Sequence, residues 1–222
     1  MRTRSSICRV RWNNRRRITS EEIHLLNVLI LGANGQIARV ATDQFLKQTD
    51  VNLTLYLRNS RRLQPSAQEG RIRIVEGDVL DMRTMESAMT GQQVVYANLS
   101  GDMKQQAQNI VKAMQKAGVK RLIFISSMGI YSEIPGERYS SILDPYRDSA
   151  RVIEASDLDY TIIRPAWLNN QNAIDYGTTQ KDEPFANPSA TVSRKSVADL
   201  VVKLATTPGM ELRHSLGVHK TF

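Results

Sequence analysis

The sequence predicts an α/β fold: a doubly wound parallel sheet with helices on both faces and a small irregular region near the C-terminus. Three observations predict it. Short, nearly continuous apolar runs recur along the chain, as strands buried on both faces require. Segments with apolar residues at helical spacing lie between them. The runs end in Gly, Asn, Asp or Ser, and strands alternating with helices in this way form parallel βαβ units.

The first strand is read at residues 27–31 and ends in Gly32-Ala33-Asn34-Gly35. A helix over 36–48 follows, with Ile37, Val40, Ala41, Phe45 and Leu46 on one face. The second strand covers 51–57 and ends at Arg58; the third covers 71–75 and leads into Glu76-Gly77-Asp78-Val79. A short helix at 82–89 precedes the fourth strand at 94–97. A helix over 104–117 aligns Ala107, Ile110, Val111 and Met114, and the fifth strand at 121–125 ends at Ser126-Ser127. A helix over 142–155 and a sixth strand at 160–163 follow, closed by Arg164-Pro165. Residues 166–195 read as irregular, and 196–206 as a helix with Val197, Leu200, Val201 and Leu204 inward. No repeat beyond the βα alternation and no linker is visible, so residues 26–222 read as one domain.

Length and composition bound the function. A chain of 222 residues buries enough apolar surface to fold without staples. One cysteine, Cys8, excludes an internal disulfide framework and every multi-cysteine zinc site. The three histidines, His24, His214 and His219, match no metal motif, so no metal site is expected. No run of eighteen apolar residues spans a bilayer, and no secretory signal precedes the domain, which makes a reducing cytosol the default compartment.

Net charge is +8, but residues 1–20 hold seven arginines and no acid; the remainder carries +1. The folded part thus offers no broad basic surface, and direct nucleic-acid binding by it is not expected. Residues 1–25 read as a disordered basic tail. The alternatives are a nucleic-acid arm, an organelle transit peptide, or codons upstream of the native start. The last is suggested by Glu21-Glu22, which GAGGAA can encode, and predicts a natural start near Leu26.

Six stretches at the carboxyl ends of the strands carry the chemistry. Gly32, Asn34, Gly35, Gln36 and Ile37 form a strand–turn–helix loop. Its glycines admit a pyrophosphate and its helix N-terminus presents free N–H groups, which together read as a dinucleotide site. Arg58, Arg61 and Arg62 stand where an NAD-preferring site carries an acid; guanidinium suits a 2′-phosphate, which favours NADP over NAD. Asp78 and Val79 suit an adenine pocket, although an aspartate here serves equally as a turn or cap residue. Ala97, Asn98 and Leu99 suit the crevice floor, and a plain turn is the alternative. Ser126-Ser127 could donate a hydrogen bond to a substrate carbonyl. The backbone beyond Pro165 would flank a nicotinamide, with Trp167 and Met128 as candidate walls.

These six stretches in this order resemble the atypical short-chain dehydrogenases/reductases, in particular the NmrA-like NAD(P)-binding group. Val28–Gly35, Phe124–Gly129 and Leu158–Pro165 carry the resemblance, which covers about residues 27–220. It implies a Rossmann sheet with a small C-terminal region on the substrate side. It places the pyrophosphate on Gly32, Asn34, Gly35, Gln36 and Ile37, and the 2′-phosphate on Arg58. Asp78 and Val79 then take the adenine, Ala97 and Asn98 the ribose side, and Ser127 falls at the position of the family's catalytic serine or threonine.

The chain departs from that family at one point. Catalytically complete members carry Tyr-x-x-x-Lys on the helix before strand six, where lysine lowers the tyrosine's pKa for proton exchange. Here Tyr146 is followed four residues later by Ala150, and Arg151 sits one residue further, about 100° around the helix. Tyr146 and Tyr131 are the candidate acids. Two functions follow: an NADPH-dependent reductase of a small electrophile such as a quinone, flavin or carbonyl, or a non-catalytic NADP-binding redox sensor acting on a protein partner. Epimerase or dehydratase chemistry also relies on the missing dyad.

Overall fold

The computed structural model describes residues 25–63 and 69–221. The basic tail read at 1–25 lies outside them save for Leu25, as does the side chain of Arg62.

Ten strands and five helices follow in chain order among the described residues: β1 (Asn27–Leu31), α1 (Gln36–Gln48), β2 (Asn52–Leu57), β3 (Ile72–Glu76), α2 (Met82–Met89), β4 (Val94–Ala97), α3 (Met103–Ala117), β5 (Arg121–Ile125), α4 (Asp144–Glu154), β6 (Asp159–Pro165), β7 (Leu168–Asn169), β8 (Gly177–Thr179), β9 (Val192–Ser193), α5 (Arg194–Thr206) and β10 (His214–His219). The main sheet runs β3-β2-β1-β4-β5-β6-β10-β8. All its pairs are parallel except β10–β8.

Burial on both faces explains why the strands read as continuous apolar runs. In β1, Val28 and Ile30 join the core beneath α1 and α5, while Leu29 and Leu31 join the core beneath α2, α3 and α4. All four are fully buried. β5 divides likewise, with Ile123 and Ile125 on the first face and Leu122 and Phe124 on the second. Each such side chain contributes about 1.5–3 kcal/mol by leaving water, so a few central strands dominate the core.

The sequence reading and the structure differ at the C-terminal end. Residues 166–195, expected to be irregular, contain the short strands β7, β8 and β9. β10, read as no element, extends the sheet beside β6. Its polar ends, His214, Ser215 and His219, hide the apolar signal, yet Leu216 and Val218 are buried. Gly217 is required there because a Cβ would lie 2.6 Å from the Phe185 ring. The helix read at 142–155 is a 3-10 turn at Ser141–Leu143 followed by α4, which starts where Pro145 fits a first turn.

The consequence for function is topological. From β1 the chain passes to β2 on one side, and β4 lies on the other. Loops leaving the carboxyl ends of β1 and β4 therefore diverge and open a crevice. No helix among the described residues is long and apolar enough to cross a membrane.

Candidate active site

The crevice has two lobes that share Asn98 and Leu99. The first is built on the turn after β1. Gly32 has φ +76° and its N–H, with that of Ala33, donates to the Tyr56 carbonyl at 3.0 and 3.2 Å. A Cβ on Gly32 would lie 2.2 Å from the Asn98 carbonyl oxygen, and one on Gly35 would lie 2.1 Å from Asn98 Nδ2. The two glycines thus let the β4–α3 loop lie directly on the β1–α1 turn.

Gly35 caps α1 without any side-chain hydrogen bond. By contrast, Asp81, Asp102 and Ser193 cap α2, α3 and α5 through their side chains. The first-turn amides of α1 therefore remain available, together with the positive end of its dipole, for an anionic group in the crevice. Asn34 is held from behind by Arg39, whose Nε and Nη2 donate to its Oδ1.

Arg58 is exposed directly after β2 and lines this lobe with Asn59. The following turn is fixed by Ser60, whose N–H and hydroxyl both donate to Glu76 at 3.1 and 2.6 Å. Those bonds, aided by Arg61, hold the Glu76 carboxyl below its usual range. Tyr56 lies beneath Gly77, and its hydroxyl donates to the Asp78 carbonyl at 2.8 Å. Burial, then the charges of Asp81 and Asp78, pushes the Tyr56 phenol up to about 12, so it stays a donor. Asp78 Oδ1 accepts the Leu80 N–H at 2.9 Å, the turn role weighed from sequence, while Asp78 and Val79 also line the lobe.

The second lobe lies over the ends of β5 and β6 and includes Ile37, Ser126, Ser127, Tyr146, Pro165, Trp167 and Arg194. Backbone bonds from Ser126 N to Ile163 O (2.7 Å) and Met128 N to Pro165 O (3.2 Å) lace the serine loop to β6. Ser127 Oγ donates to the Met128 carbonyl at 3.1 Å. Ser126 Oγ is buried with no partner. Tyr146 is half-buried on α4. Trp167 is 64% exposed at the mouth, whereas Met128 packs in the core instead of lining the lobe.

Residues 32–208 match the family model described as NAD(P)H-binding. The chain belongs to the NAD(P)H-binding family. A Rossmann-fold NAD(P)-binding family protein from Shigella flexneri is 41% identical, with a TM-score of 0.78 covering 89% of this chain and 94% of that one. A short-chain dehydrogenase/reductase from Veillonella parvula, solved in complex with NADP, is 28% identical, with a TM-score of 0.80 covering 88% and 94%. The uncharacterized sugar epimerase YhfK of Bacillus subtilis is 25% identical over 197 residues, 80% of this chain and 86% of that protein. The fold and family are those of an atypical short-chain dehydrogenase/reductase.

Within this NAD(P)H-binding chain, the residues read from sequence fall as follows. Gly32, Asn34, Gly35, Arg58, Asp78 and Val79 line the first lobe, Ile37 and Pro165 the second, and Asn98 and Leu99 both. Gln36 is exposed on the first turn of α1, and Ala97 is fully buried in β4; neither lines the crevice. Ser127 and Tyr146 share the second lobe. Tyr131 does not join them. It lines a separate cavity, where its hydroxyl is bonded to Glu154 Oε1 at 2.7 Å and Ser215 Oγ at 3.2 Å. Burial and Glu154 push that phenol well above its usual range, and its ring lies beneath the buried Arg164 guanidinium.

The positions after Tyr146 are turned away from this lobe. Ala150 is fully buried in the core, and Arg151 pairs with Asp148 and lines the separate cavity. Among the described residues no lysine lines the second lobe.

Sequence reasoning missed Gln106 and Arg194. Gln106 reaches the first lobe from α3; its Nε2 donates to the Ser100 carbonyl at 3.1 Å, which leaves Oε1 buried and unpartnered. Its helical register with Met103 and Ile110 was the available signal. Arg194 opens α5, and nothing in its local sequence marks it.

Proposed function

We propose that the protein is an NADPH-dependent reductase of a small electrophile such as a quinone, a flavin or an activated carbonyl. The observation that carries this reading is the placement of Ser127 and Tyr146 in one crevice with an uncapped, glycine-lined helix N-terminus, without a lysine beside the tyrosine. The residues present fit the coenzyme. First-turn amides of α1 would hold its diphosphate, Arg58 its 2′-phosphate, and Asp78, Val79 and Gln106 its adenine end. The NADP complex of the related Veillonella parvula protein supports the same choice.

The coenzyme supplies hydride. Ser127 Oγ would turn from the Met128 carbonyl to donate to the acceptor's oxygen, stabilising the charge that develops there. Tyr146 or water would supply the proton. No lysine stands beside Tyr146 among the described residues lining this lobe, so the lysine-assisted proton exchange that alcohol oxidation or epimerisation uses has no partner here. Acceptors whose reduction ends in a stabilised product, such as a hydroquinone, suit such a site.

The test is NADPH oxidation against a panel of quinones, flavins and aldehydes. Sustained turnover that falls by roughly 100- to 1000-fold in Ser127→Ala supports the reading. A protein that NADP stabilises against heat but that turns over no acceptor contradicts it and favours the sensor role.

A further inference from the structure

Two polar groups in the second lobe have no partner. Ser126 is 5% exposed, and its Oγ is buried and unbonded. Arg194 donates from Nη1 to Asn170 Oδ1 at 2.8 Å, while its Nε is buried and unbonded. Among the described residues lining this lobe, Arg194 is the one that carries a charge, and no carboxylate pairs with it. A partly buried guanidinium loses hydration, and within the described residues Arg194 recovers only the bond to the neutral Asn170 amide oxygen. More deeply placed cations have partners: Arg164 pairs with Glu133, Arg147 with Asp144, and Arg121 donates to backbone carbonyls and Thr161. Arg194 therefore keeps an unused donor, its Nε, beside this lobe.

We infer that Arg194, with Ser126, anchors an acidic group on the acceptor, so that the substrate is a flat conjugated electrophile bearing a carboxylate or similar anion. This rests on the reductase reading and sharpens it. The surroundings favour a substrate anion over the coenzyme diphosphate. Arg194 lines the lobe with Trp167, Leu168 and Tyr146, whereas Gly32, Asn34 and Gly35 of the diphosphate turn line the other lobe. The indole of Trp167 gives a planar ring a surface to stack on, and the Asn170 contact fixes the guanidinium from behind.

The test is calorimetric, on full-length protein saturated with NADP⁺, using anthraquinone-2-sulfonate and the uncharged 2-(hydroxymethyl)anthraquinone as probes. Wild type should bind the sulfonate tighter by roughly 10- to 100-fold, the span of a charge-assisted hydrogen-bonded pair. Arg194→Gln should lose that preference and Arg194→Lys should keep part of it, with NADP⁺ affinity unchanged in both. Equal binding of the two probes by wild type overturns the inference without any variant. So does a preference that survives in Arg194→Gln. A tenfold loss of NADP⁺ affinity in that variant also overturns it, by assigning the guanidinium to the coenzyme. A sulfonate preference without any quinone turnover would leave the anion site standing and remove the reductase reading instead.

Discussion

Replacing Gly32 by alanine perturbs the one turn on which the crevice depends. Two costs can be worked from its geometry. The backbone there has φ +76°, a left-handed conformation that costs a side-chain-bearing residue about 1–2 kcal/mol. The added Cβ would stand 2.2 Å from the Asn98 carbonyl oxygen. That carbonyl cannot easily retreat, because the Asn98 N–H is tied to Leu31 O at 2.9 Å in the β1–β4 ladder. Overpacking against fixed backbone adds about 1–3 kcal/mol. The sum, about 2–5 kcal/mol, lowers the melting temperature of a chain this size by about 4–20 °C. Gly35→Ala is the control. Gly35 has φ −63°, which any residue adopts; its Cβ would crowd the Asn98 side-chain amide at 2.1 Å, which can swing away, and would lie 3.2 Å from the Gly32 carbonyl oxygen. It should melt close to wild type but bind NADP⁺ more weakly, since the displaced amide lies where the two lobes join. Differential scanning calorimetry of both variants reads the difference. A Gly32→Ala protein that melts within 2 °C of wild type, about the smallest shift expected from 1 kcal/mol, would refute the reasoning.

Further predictions concern charge. Arg58→Ala should weaken NADPH by roughly 10- to 100-fold and leave NADH unchanged, read by fluorescence titration; an equal loss for both would contradict the 2′-phosphate assignment. Glu133→Gln leaves the charge of the fully buried Arg164 uncompensated and should cost about 3–5 kcal/mol in urea unfolding. Tyr131→Phe should leave turnover intact, because its hydroxyl is engaged by Glu154 and Ser215 away from the crevice, whereas Tyr146→Phe should lower it. Asp157 is held at about 2, below its ordinary 3.8, first by Gln115 and then by Lys120. A depressed carboxylate stabilises the fold above its unfolded value and loses that contribution as pH falls. The stability gap between wild type and Asp157→Asn should therefore be constant near pH 7 and close between about pH 4 and pH 2.

The first lobe of the crevice was legible in the sequence because its signals are local. Two-sided burial makes β1 a solid apolar run, and the Gly32–Gly35 turn follows it at once. The second lobe and the C-terminal strands were not legible, because their signals are long-range. β10 is held by its pairing with β6 and β8 and by the Arg164 guanidinium, which donates to Ser215 Oγ and to the Ser215 carbonyl; none of these partners is visible from an Arg-Pro pair. Tyr131 lies four residues past Ser127 and suggested a shared cleft. Positive φ at Gly129 and Ser132, with the Gly129 and Tyr131 amides tied to Glu133, turns the chain so that the ring packs elsewhere. Gln106 and Arg194 are distinguished by an acceptor and a donor that have no partner among the described residues, and no spacing rule reports that.

The central claim is that the turn after β1 holds an NADP diphosphate on the bare amides of α1. A crystal structure of the protein grown with NADP⁺ tests it most directly. The account predicts the diphosphate on the first-turn N–H groups of α1, the 2′-phosphate beside Arg58, and the nicotinamide over Ser127 and Pro165. Coenzyme density away from that turn, or a 2′-phosphate turned away from Arg58, would contradict it.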